Sequence, residues 1–280
     1  MSDTAPTTPF DLDAYLRRTG WEGVRRACLD TLRGLQHAHV RAIPFENLDP
    51  VRGRAPSLDL ADLTAKLVHA RRGGYCYEHN TLFARVLETL GFGVTRLLCR
   101  VQLGAHRPED RPRSHLALQV RVPGDPQTYL SDVGFGAVGA LLEPVPLRTG
   151  EEFPGAGRRH RLVHRPHRGP LPMWVLEAHG AGDGGGWEAQ YAFTLEPFEH
   201  ADVEVVNWHV ATSPRSPFSR TLYIQRLTTD AHLLLHGTAL TETRTDGTVT
   251  RRELTGEAEI RSVIDTELDV EVPDGLTLPR

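Results

Sequence analysis

The sequence predicts an α+β fold, because the spacing of its apolar residues changes twice along the chain. Up to about residue 92, apolar residues recur at helical intervals. From residue 93 to about residue 198, apolar and polar residues alternate between frequent turns, a pattern typical of a small barrel or sandwich. After residue 199, helical and alternating stretches are mixed. We therefore expect a helical bundle, then a β-rich part, then an α/β part.

Helices in the first part are predicted from capping residues and apolar spacing. Asp11 is placed to cap the first helix, and a second helix is predicted over 21–37. A later helix should begin near Cys76 and end at Gly91, where glycine suits a helix C-terminus. The second helix should bury one stripe of side chains: Val24, Cys28, Leu32 and Leu35.

Strands in the rest of the chain are predicted from alternation and turn residues. Residues 116–122 read as a half-buried strand that turns at 123–126 and returns over 128–133. The run 158–168 is rich in Arg, His and Pro and is interpreted as an exposed loop. Asp246-Gly247 is a strong hairpin signal. The glycine-rich 182–186 lacks the context of a phosphate-binding loop and is interpreted as a hairpin tip.

Composition excludes several classes of protein. The 280 residues carry a formal net charge of -4 with a pI near 6.4, which does not indicate a nucleic-acid-binding protein. Three cysteines, an odd number, and an N-terminus without an apolar targeting core favour a reducing compartment. Apolar runs are too short to span a membrane, and the histidines lack zinc-type spacing. We expect a cytoplasmic protein with no metal, nucleic-acid or membrane partner.

Cys76 is the strongest candidate for chemistry. It follows Gly73 and Gly74 and begins a helical stretch. A helix N-terminus favours the thiolate form of a cysteine, and glycines let backbone amides approach a reacting group. A lone cysteine is otherwise a small core residue, so spacing alone leaves both interpretations open.

A thiolate nucleophile needs a base, and the base needs an orienting acceptor. His115 and Asp132 are candidates, since the turn at 123–126 brings their strands together. The register is open, because a slip of one residue moves a side chain to the other face. His79, one helical turn after Cys76, is the local rival for the base, and Asp132 could equally be a turn residue.

Four ordered blocks of sequence resemble the arylamine N-acetyltransferases. Residues 72–78 match the family's Arg-Gly-Gly-x-Cys-x-Glu motif, and Asn80 continues it. Ile-Pro-Phe-Glu-Asn at 43–47, Ser-His-Leu at 114–116 and Asp-Val-Gly-Phe-Gly at 132–136 match three further blocks. Asn207-Trp208 and Ser216-Pro217-Phe218 resemble a looser later block. The resemblance extends from about residue 10 to beyond residue 220.

The resemblance implies a Cys76-His115-Asp132 triad and three domains. These would be a helical bundle over 1–92, a β-barrel over 93–198 and an α/β lid with an interdomain segment over 199–280, with papain-like placement of the cysteine helix. It also implies a structural ion pair between Glu46 and Arg72.

The resemblance further implies acetyl-CoA-dependent N-acetylation of arylamines or arylhydrazines, a reaction of xenobiotic metabolism, by a monomer or homodimer. The reaction would be ping-pong, through acetyl-Cys76. Leu130 stands where some bacterial relatives carry phenylalanine, which should widen or soften the acceptor pocket. An acceptor slot would be lined by Phe45, Val101, Phe135 and Phe218, which could also be plain core residues, and CoA would bind near Ser114, Gly134 and Gly136.

Other functions fit the same nucleophile. An amide synthase would release a polyketide chain from a carrier thioester onto an arylamine. A cysteine hydrolase would use the same triad but admit water. A binding protein that has kept the fold would have no need of an intact triad.

Overall fold

The N-terminal helices pack around a fully buried apolar core. The computed structural model describes residues 10–105, 107–180 and 185–275. Helix α1 spans Leu12–Thr19 and is capped as predicted by Asp11, whose side chain accepts a hydrogen bond from the Ala14 N–H. The elements that follow are α2 (Leu29–Ala42), β1 (Phe45–Glu46), α3 (Leu48–Val51), α4 (Leu60–Leu63), a π-helical turn (Thr64–His69) and α5 (Cys76–Thr89).

Helix α2 begins at Leu29, so the prediction of a helix over 21–37 was wrong at both ends. Gly23 disfavours a helix, and the Thr31 hydroxyl donates to the Val24 carbonyl at 2.8 Å, which holds the preceding segment as a loop. Val24 is 62% exposed and does not belong to the buried stripe. The helix continues beyond residue 37 because Gln36 and His39 are also buried.

The middle of the chain forms a nearly closed barrel. The strands are β2 (Gly93–Val101), β3 (His115–Arg121), β4 (Thr128–Ser131), β5 (Val145–Pro146), β6 (Glu152–Gly155), β7 (Arg158–Arg165), β8 (Met173–His179) and β9 (Trp187–Phe193). Their antiparallel order is β5-β4-β3-β2-β9-β8-β7-β6, so the pairing of β2 with β9 joins two meanders. In the β3–β4 hairpin, Leu118 lies opposite Ser131.

Two predictions about these strands were wrong, one of them only in part. Strand β3 is buried on both faces over 115–118, because α5 packs against one side and the barrel interior covers the other, whereas Gln119 and Arg121 keep the predicted half-buried pattern. Residues 158–168 were expected to form a loop, but most of them form β7, in which His160 and Leu162 point inward. The alternation of buried and exposed residues in β7 is hard to recognise in the sequence, because arginines occupy the outer face. Most of the predicted hairpin tip at 182–186 lies outside the described residues.

The last part of the chain combines a five-stranded sheet with two helices. It contains α6 (His200–Thr212), a 3₁₀ turn (Pro217–Ser219), β10 (Tyr223–Leu227), β11 (Ala231–His236), β12 (Ala239–Arg244), β13 (Val249–Glu253) and α7 (Glu257–Thr266). The hairpin at Asp246-Gly247 joins β12 to β13 as predicted. Strand β1 pairs with β10, with Phe45 opposite Gln225, so the N-terminal part supplies the sheet's edge strand.

The architecture confirms the predicted α+β class, while the division into domains at residues 92 and 198 stays a prediction. Among the described residues, no helix combines the length and hydropathy needed to cross a membrane.

Candidate active site

Cys76 is the first residue of α5 and is 4% exposed. Neighbouring atoms leave no room for a side chain at the two glycines before it. A Cβ on Gly73 would lie 1.9 Å from the Pro44 carbonyl oxygen, and one on Gly74 would lie 2.7 Å from a Glu78 carboxylate oxygen. Glu78 in turn accepts a hydrogen bond from the Tyr75 N–H at 3.1 Å, which satisfies a free donor of the first helical turn.

His115 and Asp132 lie side by side in the barrel wall. His115 begins β3, Asp132 follows β4, and the His115 Nε2 and Asp132 Oδ2 atoms are 2.7 Å apart. The Cys76 thiol interacts with the same imidazole and helps to raise its pKa. Because Nε2 is engaged by Asp132, Nδ1 is the nitrogen left for the thiol. The structure thus brings the three sequence candidates together.

Asn80 fastens the cysteine helix to β3 and to the segment that follows β4, a role that was not predicted. Its Nδ2 donates to Asp132 Oδ1 at 2.9 Å and to the Leu116 carbonyl at 2.8 Å. Its Oδ1 accepts from the Val133 N–H at 3.2 Å. The signal was available, since Asn80 lies one helical turn after Cys76 on the same face of α5.

The carboxylate and the imidazole shift each other's pKa. Burial alone would lower the pKa of His115, but Asp132 and Cys76 outweigh it and raise this pKa to about 10. Burial alone would raise the pKa of Asp132, but His115, Asn80 and the Gly134 N–H lower it. The arrangement therefore favours an imidazolium paired with a carboxylate.

His79, the rival base, has both ring nitrogens engaged elsewhere. Nδ1 lies 2.8 Å from His39 Nε2, and Nε2 lies 3.2 Å from the Pro44 carbonyl oxygen. Burial lowers the pKa of His79 to about 4, despite hydrogen bonds to Pro44 and Gly74 that oppose it. His115 is thus the better placed base.

A pocket opens beside Asp132. Gly134 lies against α5 so closely that a Cβ there would be 2.7 Å from the Cys76 Cα atom. Phe218 contacts the Phe45 ring, with the centroids 5.9 Å apart. The predicted residues that line this pocket are Phe45, Gly134, Phe135 and Gly136.

The other predicted binding residues lie apart from this lining. Leu130 is fully buried in the barrel core, and Val101 packs against that core. Ser114 precedes β3, where its N–H donates to the Cys99 carbonyl at 2.9 Å. Tyr191 was not predicted as a site residue, yet its ring centroid lies 4.9 Å from that of His115 and 5.0 Å from that of Phe135.

Behind the cysteine lies a half-enclosed cluster of charges. Arg72 Nη2 is 2.7 Å from Glu46 Oε1, so the residues of the predicted ion pair are in contact. Lys66, the only lysine of the sequence, contacts Asp49 at 2.5 Å and Glu78 at 2.7 Å. The cluster joins the β1 segment to the start of α5.

Glu78→Gln should gain stability relative to the wild type as the pH rises. Burial raises the pKa of Glu78 to about 7, against the opposing effect of Lys66 and with a further rise from Glu46. A raised carboxyl pKa means that ionisation of the group destabilises the fold. The free energy of unfolding of the wild type therefore falls as the pH rises from 4.5, the ordinary pKa of the group, to about 7, its pKa in the folded protein. The glutamine side chain cannot ionise, so the variant does not show this loss, which is at most about 1.4 kcal/mol per pH unit.

Urea unfolding at about pH 5 and about pH 8 would measure the effect. Glu88→Gln, on the same helix, controls for the loss of a carboxylate. An identical stability difference between Glu78→Gln and the wild type at both pH values would contradict the prediction.

No group of His, Cys, Asp and Glu side chains in the described ranges could hold a metal ion.

Comparisons with known proteins identify the family to which the chain belongs. Residues 28–277 match the sequence profile of a family described as N-acetyltransferase. The arylamine N-acetyltransferase of Mycolicibacterium smegmatis is 42% identical over 250 residues, covering 85% of this chain and 84% of that protein. The arylamine N-acetyltransferase of Nocardia farcinica superposes with a TM-score of 0.87 at 45% identity, covering 95% of this chain and 91% of that one.

A solved structure of the Mycobacterium marinum arylamine N-acetyltransferase in complex with CoA is also similar. It has a TM-score of 0.84 and 36% identity, and 93% of each chain is covered. The matching profile and these relatives show that the chain belongs to the arylamine N-acetyltransferase family of acyltransferases, which use acetyl-CoA as donor.

Proposed function

We propose that the chain acetylates arylamines or arylhydrazines by a ping-pong mechanism through acetyl-Cys76. The observation that carries this proposal is the buried His115 imidazole, whose Nε2 lies 2.7 Å from Asp132 Oδ2 and whose pKa is raised by both Asp132 and Cys76. The adjoining pocket is lined by aromatic side chains and by backbone, which suits an aromatic acceptor.

In the first half-reaction, the Cys76 sulfur attacks the thioester carbonyl of acetyl-CoA and His115 holds the proton of the thiol. The tetrahedral oxyanion is stabilised by backbone N–H groups at the start of α5, each worth about 3 kcal/mol in comparable sites. The C–S bond to CoA then breaks, the CoA thiol leaves with the proton from His115, and the acetyl group stays on Cys76.

In the second half-reaction, the amine nitrogen attacks the carbonyl carbon of acetyl-Cys76. His115 accepts the proton that the nitrogen loses, and Asp132 keeps the imidazole in the tautomer that can accept it. The C–S bond to Cys76 breaks, which yields the amide and restores the thiolate–imidazolium pair. Water must stay out between the steps, and Cys76 is 4% exposed.

The acceptor would lie against Phe45, Phe135 and Phe218. Phe45 and Phe135 line the pocket next to Asp132, and Phe218 extends the aromatic surface from Phe45. Leu130 and Val101 would shape the slot from inside the barrel, through Phe135, because the three share one core.

CoA would enter through a basic cleft between the barrel and the last sheet. The half-buried Arg158 lies there, and its guanidinium donates to the Ala140 carbonyl at 2.6 Å. Within the described part of the chain no carboxylate is recorded as a partner of Arg158, and burial alone lowers its pKa to about 10. A phosphate group would supply the missing negative charge. Gly134 and Gly136 would leave room for the pantetheine chain, and Ser114 would flank the entry.

Arg158→Gln should raise the KM for acetyl-CoA by about tenfold, the effect of losing one charged hydrogen bond to phosphate. Arg165→Gln is the matched control, because it removes a charge from the same strand where Arg165 pairs with Glu177 at 2.7 Å. Initial rates over a range of acetyl-CoA concentrations would measure it. Equal KM changes in both variants would point to net charge rather than to a phosphate site.

The mechanism is tested by mixing the enzyme with acetyl-CoA alone and mapping the product by mass spectrometry. One acetyl group should appear on the Cys76 peptide and disappear when an arylamine is added. Rapid loss of the acetyl group without amine would indicate a hydrolase. Labelling by long acyl thioesters but not by acetyl-CoA would indicate an amide synthase.

A further inference from the structure

A chain of hydrogen bonds runs through the protein interior behind Phe45. The Tyr15 hydroxyl lies 2.8 Å from His39 Nδ1, and His39 Nε2 lies 2.8 Å from His79 Nδ1. His79 Nε2 lies 3.2 Å from the Pro44 carbonyl oxygen. All four residues are buried, and they join α1, α2 and α5 to the segment that leads into β1.

The Pro44 carbonyl and the neutral state of both imidazoles together set the direction of each hydrogen bond in this series. A carbonyl oxygen only accepts, so His79 Nε2 carries a proton. Burial lowers the pKa of both His39 and His79, which keeps the two rings neutral, so His79 Nδ1 is left to accept. His39 Nε2 must then donate, and its Nδ1 accepts from the Tyr15 hydroxyl.

The hydrogen bond to the Pro44 carbonyl, which ends this series, holds the backbone next to the acceptor pocket. The Pro44 carbonyl immediately precedes Phe45, whose ring lies parallel to that of His79, at 5° and 6.4 Å between centroids. The Glu46 N–H donates to the Gly74 carbonyl at 2.8 Å, just before Cys76 in sequence. A shift of the Pro44 carbonyl would therefore move Phe45 relative to the nucleophile.

We propose that His79, oriented by His39 and Tyr15, is a positioning residue that sets the width of the aromatic acceptor slot by fixing Phe45. The inference rests on the proposed function for what occupies the slot. His79 transfers no proton to substrate, since both of its nitrogens are used within the chain. Its effect is on acceptor binding and not on acetylation of Cys76.

Two variants of His79 test this proposal. His79→Leu removes both hydrogen bonds, whereas His79→Gln keeps a donor for the Pro44 carbonyl. His79→Leu should raise the KM for the arylamine roughly tenfold, since small misplacements near a reacting centre have large effects. The single-turnover rate of Cys76 acetylation by acetyl-CoA should stay within about twofold of the wild type. His79→Gln should recover most of the loss.

Leu87→Ala is the matched control for a general weakening of the core. Leu87 is fully buried two helical turns after His79 and is not part of the hydrogen-bonded series. This variant should lose stability in urea unfolding and leave the amine KM unchanged. Equal KM changes in Leu87→Ala and His79→Leu, or equal slowing of both half-reactions, would overturn the proposal.

Two readouts do not depend on turnover. Proton–nitrogen spectra of the imidazoles should show His39 and His79 as neutral Nε2–H tautomers, and an Nδ1–H tautomer at His79 would overturn the proposal. The affinity for an aromatic compound that lacks the amine should fall in His79→Leu and recover in His79→Gln. If the wild type fails to become acetylated, the proposed function fails, and this affinity still decides the role of His79.

Discussion

Replacing Cys76 with alanine should abolish acetyl transfer, with a loss of about 10⁶-fold if the triad behaves like that of a serine protease. No other thiol can substitute, because Cys99 lies in the barrel core and Cys28 lies just before α2, where its sulfur contacts the Thr31 hydroxyl. The fold should survive, since alanine is small and is well tolerated in a helix. Mass spectrometry after addition of acetyl-CoA would show no acetylated peptide.

Cys28→Ala is the control for Cys76→Ala and should keep full activity. Iodoacetamide labelling gives a second measure, with Cys76 expected to react well ahead of the other two thiols. Cys28 is more exposed than Cys76, and the Thr31 hydroxyl lowers its pKa. Faster reaction at Cys76 would therefore report activation rather than access, and equal labelling would contradict an activated thiol.

Asp132→Asn should lower the rate of acetyl transfer by roughly four orders of magnitude, the effect known for the equivalent change in a serine triad. Oδ1 of Asp132 accepts hydrogen bonds from Asn80 and from the Gly134 N–H, both at 2.9 Å. An asparagine would keep its oxygen on that side and turn its NH₂ group toward His115. His115 Nε2 would then have to accept, and the imidazole proton would move to Nδ1, the nitrogen that should take the thiol proton.

Single-turnover acetylation of Cys76 is the sharpest measurement for Asp132→Asn. Asp125→Asn is the matched control, because Asp125 lies at the far end of the same hairpin and accepts hydrogen bonds from Gln127 and Tyr129 at 2.8 Å. Acetylation near the wild-type rate in Asp132→Asn would remove Asp132 from the proposed triad.

Local signals predicted part of the fold correctly. Asp11 caps α1, Gly91 follows α5 with a φ of 93°, and the Asp246-Gly247 turn joins two strands. Each of these depends on the conformational preference of one or two residues. The start of α2 and the existence of β7 were missed, because a loop hydrogen bond decides the first and burial of alternate residues in a closed barrel decides the second.

The residues of the candidate site could be predicted from the sequence, but their arrangement in space could not. The helix start marked Cys76, and the turn at 123–126 indicated that His115 and Asp132 approach each other. The register of the hairpin was open, and the structure sets it by packing β3 against α5, where Asn80 bonds to β3 and to the segment that follows β4. Contacts across many residues of sequence, such as those of Tyr191 and Val101, leave no local pattern to detect.

The pairing of β1 with β10 has a consequence for synthesis of the protein. Phe45 and Gln225 lie opposite each other although 180 residues separate them along the chain. Such distant contacts form late and slow folding. A polypeptide emerging from the ribosome would carry the nucleophile long before its aromatic wall is anchored, so an incomplete chain would have an unpaired strand edge there and little catalytic competence.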